Sequence, residues 1–97
     1  MPIFQITPLT DNAIKVGESV KRHFSEAAWY ELPFSAGWFV RFNGTTVELS
    51  KKLEVTGQTD GATNPIGSTL ITHIVAYYGR GSTDMWEWLK TRFEAQG

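Results

Sequence analysis

The sequence predicts a single α+β domain spanning residues 1–97, in which helices pack on an antiparallel β-sheet. The chain is 97 residues long and 41% hydrophobic, which suits one domain with one modest core. Short segments rich in β-branched and aromatic residues alternate with segments whose apolar residues recur every three or four positions. There is no cysteine, so the fold is expected without disulfides or zinc–thiolate sites.

The first predicted strand lies between Pro2 and Pro8, because two prolines that close together favour a short strand over a helix. A helix over about 12–24 follows, and Thr10 and Asp11 offer N-caps to it.

One face of this first helix is apolar and is expected to pack on the sheet. The residues that form it, at spacings of four, three and four, are Ala13, Gly17, Val20 and Phe24. Glycine inside a helix costs up to ~1 kcal/mol relative to alanine. We therefore expect a neighbouring group to approach the backbone closely at Gly17.

The aromatic segment 28–42 predicts a β-hairpin, with the residues from Pro33 to Gly37 as the connection. On its second strand the side chains alternate between the two faces of the sheet. The residues on one face are Trp38, Val40 and Phe42, and those on the other are Phe39 and Arg41. Because neither face is wholly polar, we expect one in the core and the other partly covered or functional.

Residues 45–54 fit two structures. Asn43-Gly44 is a strong turn signal, and the alternation after it would suit a third hairpin strand. Against this, Thr45 and Glu48 have capping-box spacing and are followed mainly by helix formers. We predict the helix, followed by a surface loop over 57–68 whose glycines do not match a phosphate-binding P-loop.

The strongest strand signal covers residues 69–78, which are rich in β-branched and aromatic side chains. A glycine-containing break at 79–81 ends it, and a last helix runs to about Glu94. The residues that offer an N-cap to that helix are Ser82, Thr83 and Asp84.

The predicted order of elements is that of the ferredoxin-like βαββαβ fold with an extra C-terminal helix. Two helices would then cover one face of a four-stranded antiparallel sheet. The second face also carries apolar and aromatic residues, so we expect the terminal helix, a partner subunit or both to cover it. Because two-fold dimers are the commonest oligomers, the sequence predicts a homodimer.

Two resemblances accompany this prediction. The segment Tyr77-Tyr-Gly-Arg-Gly-Ser-Thr-Asp-Met-Trp-Glu-Trp-Leu89 resembles the ends of small uncharacterised bacterial proteins that close on a Trp-Glu-Trp-Leu helix. In size and element order the chain also resembles the small ferredoxin-like proteins of the CRISPR-associated spacer-integration subunit and VapD-type ribonuclease superfamily. Members of that group that cut nucleic acid carry an aspartate at the end of the first strand, where this chain reads Gln5-Ile-Thr-Pro8. The resemblance therefore implies the fold and does not carry over the nuclease activity.

No catalytic constellation stands out. His23 at the end of the first helix and His73 in the last strand both have ordinary structural interpretations, although His73 would also suit a general base. Asp11, Asp60 and Asp84 lie far apart, and each fits a cap or a loop. The sequence predicts no catalytic residue, no metal site and no cofactor.

Charge and hydropathy predict a cytoplasmic protein. Nine Lys and Arg against ten Asp and Glu give a net charge of -1, which disfavours broad binding to nucleic acid or anionic lipid. The N-terminus lacks the basic and apolar segments of a signal peptide, and no segment approaches the ~20 apolar residues of a membrane span.

The four Trp, three Tyr and six Phe are the most informative feature for function. Most must form the core, since each buries ~150–250 Å². The remainder predict a binding surface, whose candidate residues are Tyr78, Arg80, Ser82, Trp88 and Arg41. The favoured interpretation is a non-enzymatic module that self-associates through the last strand or the aromatic sheet face and binds a protein partner. The alternatives are a metal-dependent endoribonuclease-like protein, to be tested at Asp11, and a single-stranded nucleic-acid binder.

Overall fold

A computed structural model of the chain describes residues 2–57, 65–76 and 78–94, without the side chains of 93 and 94. The elements are β1 (Ile3–Pro8), α1 (Ala13–His23), β2 (Trp29–Leu32), β3 (Gly37–Arg41), α2 (Thr46–Lys52), β4 (Thr69–Ile74) and α3 (Thr83–Glu94), with single 3-10 turns at Glu26–Ala28 and Pro33–Ser35. The predicted α+β class is confirmed, with a four-stranded antiparallel sheet and three helices in this part of the chain. Most of the predicted loop over 57–68 lies outside the described residues.

The strands lie in the order β2-β3-β1-β4, and every neighbouring pair is antiparallel. β1 is central, with Phe4 opposite Val40 on one side and opposite His73 on the other. The predicted hairpin is confirmed, because Leu32 of β2 pairs with Gly37 of β3 across the short connection.

The larger core lies between one sheet face and the helices α1 and α2. Its buried side chains are Phe4, Ile6, Val16, Val20, Trp38, Val40, Leu49, Leu53, Val55 and Ile66. A Cβ atom on Gly17 would lie 2.7 Å from Cζ2 of Trp38, so the predicted close approach at this glycine is confirmed.

The opposite face of the sheet is covered in part by α3. The buried residues of this second cluster are Ile3, Leu32, Phe39, Trp88 and Leu89. The sequence predicts that the terminal helix, a partner subunit or both cover this face, and the structure places the terminal helix there. Helices therefore lie on both sides of the sheet.

The helical interpretation of 45–54 is confirmed. Thr45 is the N-cap of α2: its Oγ1 accepts a hydrogen bond from the Glu48 amide at 3.1 Å, and the Glu48 carboxylate accepts one from the Thr45 amide at 3.1 Å. This reciprocal pair satisfies two amides that have no partner inside the helix, which offsets the turn signal at Asn43-Gly44.

The predicted cap of α1 is wrong. The N-cap residue is Asn12 rather than Thr10 or Asp11, and its side chain makes no capping hydrogen bond. The Asn12 side chain is buried and donates instead to the carbonyl oxygens of Ile66 at 2.9 Å and Ser68 at 3.0 Å. The residue at the N-cap position therefore uses its side chain for a tertiary contact rather than for the helix end.

The last strand is shorter than predicted. β4 ends at Ile74, which pairs with Ile3, the first residue of β1. Pro2 directs its carbonyl oxygen to the Phe42 amide beside β3 at 3.0 Å and therefore offers no hydrogen bond to β4. Val75 and Ala76 follow as exposed residues, and Tyr77 lies outside the described residues.

Candidate interaction surface

The outer edge of β4 is the first component of the candidate surface. Among the described residues, β4 pairs with β1 alone and lies at one end of the four-strand order. The Leu9 amide donates a hydrogen bond to the Ser68 carbonyl at 3.0 Å. This bond determines which residues of β4 direct their backbone N–H and C=O groups toward β1 and which direct them away. Because hydrogen-bonded positions alternate along an antiparallel strand, Ile71 and His73 direct their N–H and C=O groups away from β1.

The sequence of this edge does not protect it. Residues 69–76 read Thr-Leu-Ile-Thr-His-Ile-Val-Ala, without proline or any Asp, Glu, Lys or Arg. Native proteins usually block sheet edges with charges, prolines, bulges or very short strands. β4 uses none of these devices within its six residues.

Exposed apolar side chains lie along β4 on both faces of the sheet. Leu70 is 50% exposed and Val75 is 78% exposed. On the α2 side, exposed Val47 lines a groove of about 230 Å³ together with Ile71 of β4. The edge therefore combines backbone groups that have no strand partner among the described residues with exposed apolar side chains on either side.

The opposite edge of the sheet, at β2, is different. It has four residues, one of them the carboxylate Glu31, and Pro33 follows directly. The carbonyl of Ala27, just before the strand, accepts a hydrogen bond from Arg92 of α3 at 3.0 Å. This edge has the protective features that β4 lacks.

Three predicted binding residues lie together in sequence and on the surface before α3. Tyr78 is fully exposed, and Arg80 and Ser82 are exposed. The Ser82 hydroxyl accepts from the Met85 amide at 3.3 Å, which identifies Ser82 as the capping residue among the three candidates. The same hydroxyl lies 3.3 Å from the Tyr30 hydroxyl, which ties the start of α3 to β2.

Trp88, the fourth predicted binding residue, is in the interior. Its side chain is 8% exposed and packs between α3 and the sheet. Its ring centroid lies 6.1 Å from that of Phe39, nearly parallel, and 6.2 Å from that of Tyr30. The indole Nε1 is buried without a hydrogen-bond partner. The structure therefore does not bring Trp88 together with Tyr78 and Arg80 on one accessible surface.

Arg41, the fifth predicted binding residue, ends β3 and is partly buried. Its Nε is a buried donor without an acceptor. It lines a pocket with residues of α1 and α2, away from the segment 78–82.

The ionisable groups considered for catalysis are dispersed. His23 contacts the Glu54 carboxylate at 3.4 Å, and the His73 ring stacks on Phe4 at a centroid distance of 5.1 Å. Asp60 lies outside the described residues. Among the side chains that the structure describes, no three from His, Asp or Glu are grouped so that they could hold a metal ion. Nor is any helix in the described parts of the chain long and apolar enough to cross a bilayer.

Sequence reasoning did not identify Val47 and Val75 as part of this surface. An exposed valine does not by itself indicate a binding surface, and these two matter because they lie beside the outer edge of β4. Comparisons with known proteins return no matching family model, no matching curated protein and no matching solved structure.

Proposed function

We propose that this protein is a non-enzymatic interaction module that forms a homodimer through the edge of β4. The observation that carries the proposal is the uncharged, proline-free outer edge of this strand, with Leu70, Val75 and Val47 exposed beside it. Such an edge is a template for adding another strand. In a dimer the added strand is β4 of the second copy.

The proposal includes a ferredoxin-like arrangement of the chain. The order of elements from β1 to β4, with α1 and α2 on the same face and β1 central, supports it. In this arrangement β4 is an edge strand, so pairing of two copies would produce one continuous eight-stranded sheet.

The alternation of outward-directed backbone groups along β4 allows this strand to pair with β4 of a second copy. Ile71 of one copy can lie opposite His73 of the other, and a two-fold axis then passes beside Thr72. Both symmetry-related pairs exchange two backbone hydrogen bonds, which uses the outward N–H and C=O groups of both residues. The Thr72 side chains of the two copies would meet across the axis, a favourable cross-strand pair.

The other route to self-association, through the aromatic sheet face, has less support. α3 already packs Trp88 and Leu89 against Phe39 on that face. Pairing through the part of this face that α3 covers would displace α3, whereas pairing through β4 requires no rearrangement of the described residues.

The second part of the proposal is a protein-binding surface at Tyr78, Arg80 and Ser82. Tyr and Arg are the residue types that most often anchor protein interfaces. Tyr78 is fully exposed, and the Ser82 contacts with Tyr30 and Met85 hold the end of this segment in place. Trp88 is left out of this surface because it is buried.

Sedimentation equilibrium tests the dimer with two double variants. Leu70→Lys with Val75→Lys places two charges beside β4. Leu9→Lys with Ile14→Lys is the matched control, because Leu9 is 57% and Ile14 79% exposed and the change in charge is the same. For a small interface of this kind we expect a wild-type dissociation constant of roughly 10–100 μM.

The β4 variant is expected to be monomeric at a concentration where the wild type and the control are dimeric. A wild-type monomer at ~100 μM, or equal weakening by both variants, would contradict the proposal.

Partner binding is tested separately by pulldown from the native host with Tyr78→Ala and Arg80→Ala together. Loss of the captured partner with an unchanged dimer is expected, and unchanged capture would remove this surface from the proposal.

A further inference from the structure

The one titratable side chain of β4 is His73, which lies on the sheet face that α1 and α2 cover. His73 pairs with Phe4 of β1, a residue of the larger core, and the two rings stack at a centroid distance of 5.1 Å. His73 is nevertheless exposed. Its imidazole therefore has an apolar contact on one side and access to water elsewhere.

The described elements packed against β4 direct no charge toward this ring. β1 and β4 contain no Asp, Glu, Lys or Arg. α2 has three charged residues, and each has a contact elsewhere: Glu48 at the N-cap of α2, Lys51 beside Gly57, and Lys52 over the Phe24 ring. His73 makes no ion pair in the described part of the chain. No carboxylate is therefore placed to stabilise a proton on His73.

Pairing of β4 with β4 of a second copy would change the surroundings of this ring. With the two-fold axis beside Thr72, Ile71 of the second copy lies directly opposite His73, and Ile71 of the same strand lies beside it on the same face. The His73 residues of the two copies become diagonal neighbours, about 7–8 Å apart. Isoleucine side chains and a second imidazole thus replace part of the water around each ring.

We infer that, in the homodimer proposed above, on which this inference depends, His73 is a pH sensor whose protonation separates the two copies. An imidazolium in the dimer loses hydration against isoleucine and meets a like charge across the axis, whereas in the monomer it is exposed to water. Both effects favour the neutral ring in the dimer. The dimer therefore binds fewer protons than two monomers, so its stability is fully present above the range in which histidine titrates and falls as the pH decreases through it.

Sedimentation equilibrium of the wild type at about pH 7.5 and about pH 5.5 tests this inference, because histidine changes charge between these values while Asp and Glu stay largely ionised. Each imidazolium is expected to weaken association roughly threefold, so the dissociation constant should be roughly tenfold higher at the lower pH. A change of less than about twofold would overturn the inference.

Two variants assign the pH dependence to one of the two histidines in the chain. His73→Gln cannot gain a proton, so the ratio of its dissociation constants at the two pH values should be close to one, whatever its affinity at the higher pH. His23→Gln is the matched control, because His23 contacts Glu54 and is not part of β4, and its ratio should equal that of the wild type. An unchanged ratio in His73→Gln, or a ratio lost in His23→Gln, would overturn the assignment.

The same measurements separate failure of the pH sensor from failure of the dimer. A wild type that is dimeric at both pH values with equal affinity would overturn the sensor alone. A wild type that is monomeric at the higher pH would overturn the dimer and the sensor together.

Discussion

Replacing Trp88 distinguishes a core role from a binding role for this residue. The side chain is 8% exposed and stacks on Phe39 and Tyr30, with the Arg92 guanidinium carbon 4.9 Å from its ring centre. Truncating a buried tryptophan to alanine typically costs ~3–5 kcal/mol. A chain of this length has a free energy of unfolding of about 5–15 kcal/mol, so Trp88→Ala should lose a large part of it.

Trp88→Phe provides a variant that should still fold. It keeps an aromatic ring on Phe39 and removes the indole N–H, which is buried without a partner. An unsatisfied buried donor costs roughly 1–3 kcal/mol, and its removal offsets much of the lost ring contact. We therefore expect Trp88→Phe to lie within ~1.5 kcal/mol of the wild type.

The assay is urea unfolding followed by far-ultraviolet circular dichroism, which does not depend on the tryptophan itself. Tyr78→Ala is the control, because a fully exposed aromatic should change the free energy of unfolding by less than ~0.5 kcal/mol. If Trp88→Ala changed it as little as Tyr78→Ala does, the ring would not be part of the core, and the account of α3 as a cover for the sheet would be wrong.

Three further substitutions test the packing of the helices, each by the shift in the urea midpoint. Gly17→Ala places a methyl group 2.7 Å from the Trp38 ring. The overpacking costs ~1–3 kcal/mol and outweighs a gain in helix propensity of up to ~1 kcal/mol, so we expect the variant to be less stable than the wild type. A more stable variant would contradict the contact. Asn12→Ala should cost ~1–3 kcal/mol because it removes the hydrogen bonds that the buried Asn12 side chain donates to the Ile66 and Ser68 carbonyls, and a change near zero would show that these contacts contribute nothing. Thr45→Ala should cost about 1 kcal/mol through loss of the cap of α2, and an unchanged midpoint would refute that role.

Local signals predicted much of the fold because the relevant contacts are close in sequence. The capping box of Thr45 and Glu48 spans three residues and appears as expected. The alternation in β3 correctly separates Trp38 and Val40 from Phe39 on the two sheet faces, since side-chain direction has a period of two. Gly17 was informative because glycine destabilises a helix interior, which indicates that a neighbouring group needs the space of a side chain. The Trp38 ring occupies that space.

The candidate site was harder to predict because its properties depend on tertiary placement. Trp88 becomes buried only when α3 docks on Tyr30 and Phe39, residues about 50 positions earlier in the chain. The Asn12 side chain leaves the helix end for carbonyl groups more than 50 residues away. The strand signal at 69–78 does not indicate whether this strand lies at an edge of the sheet, because that position depends on the order in which the strands pair.

Amide hydrogen exchange along β4 tests the central proposal most directly. The amides of Leu70 and Thr72 face β1 and should be protected at any protein concentration. Those of Ile71 and His73 face outward and should exchange rapidly in dilute protein and slowly where the dimer forms. Rapid exchange at Ile71 and His73 at every concentration, in a sample that sedimentation shows to be dimeric, would contradict pairing through this edge.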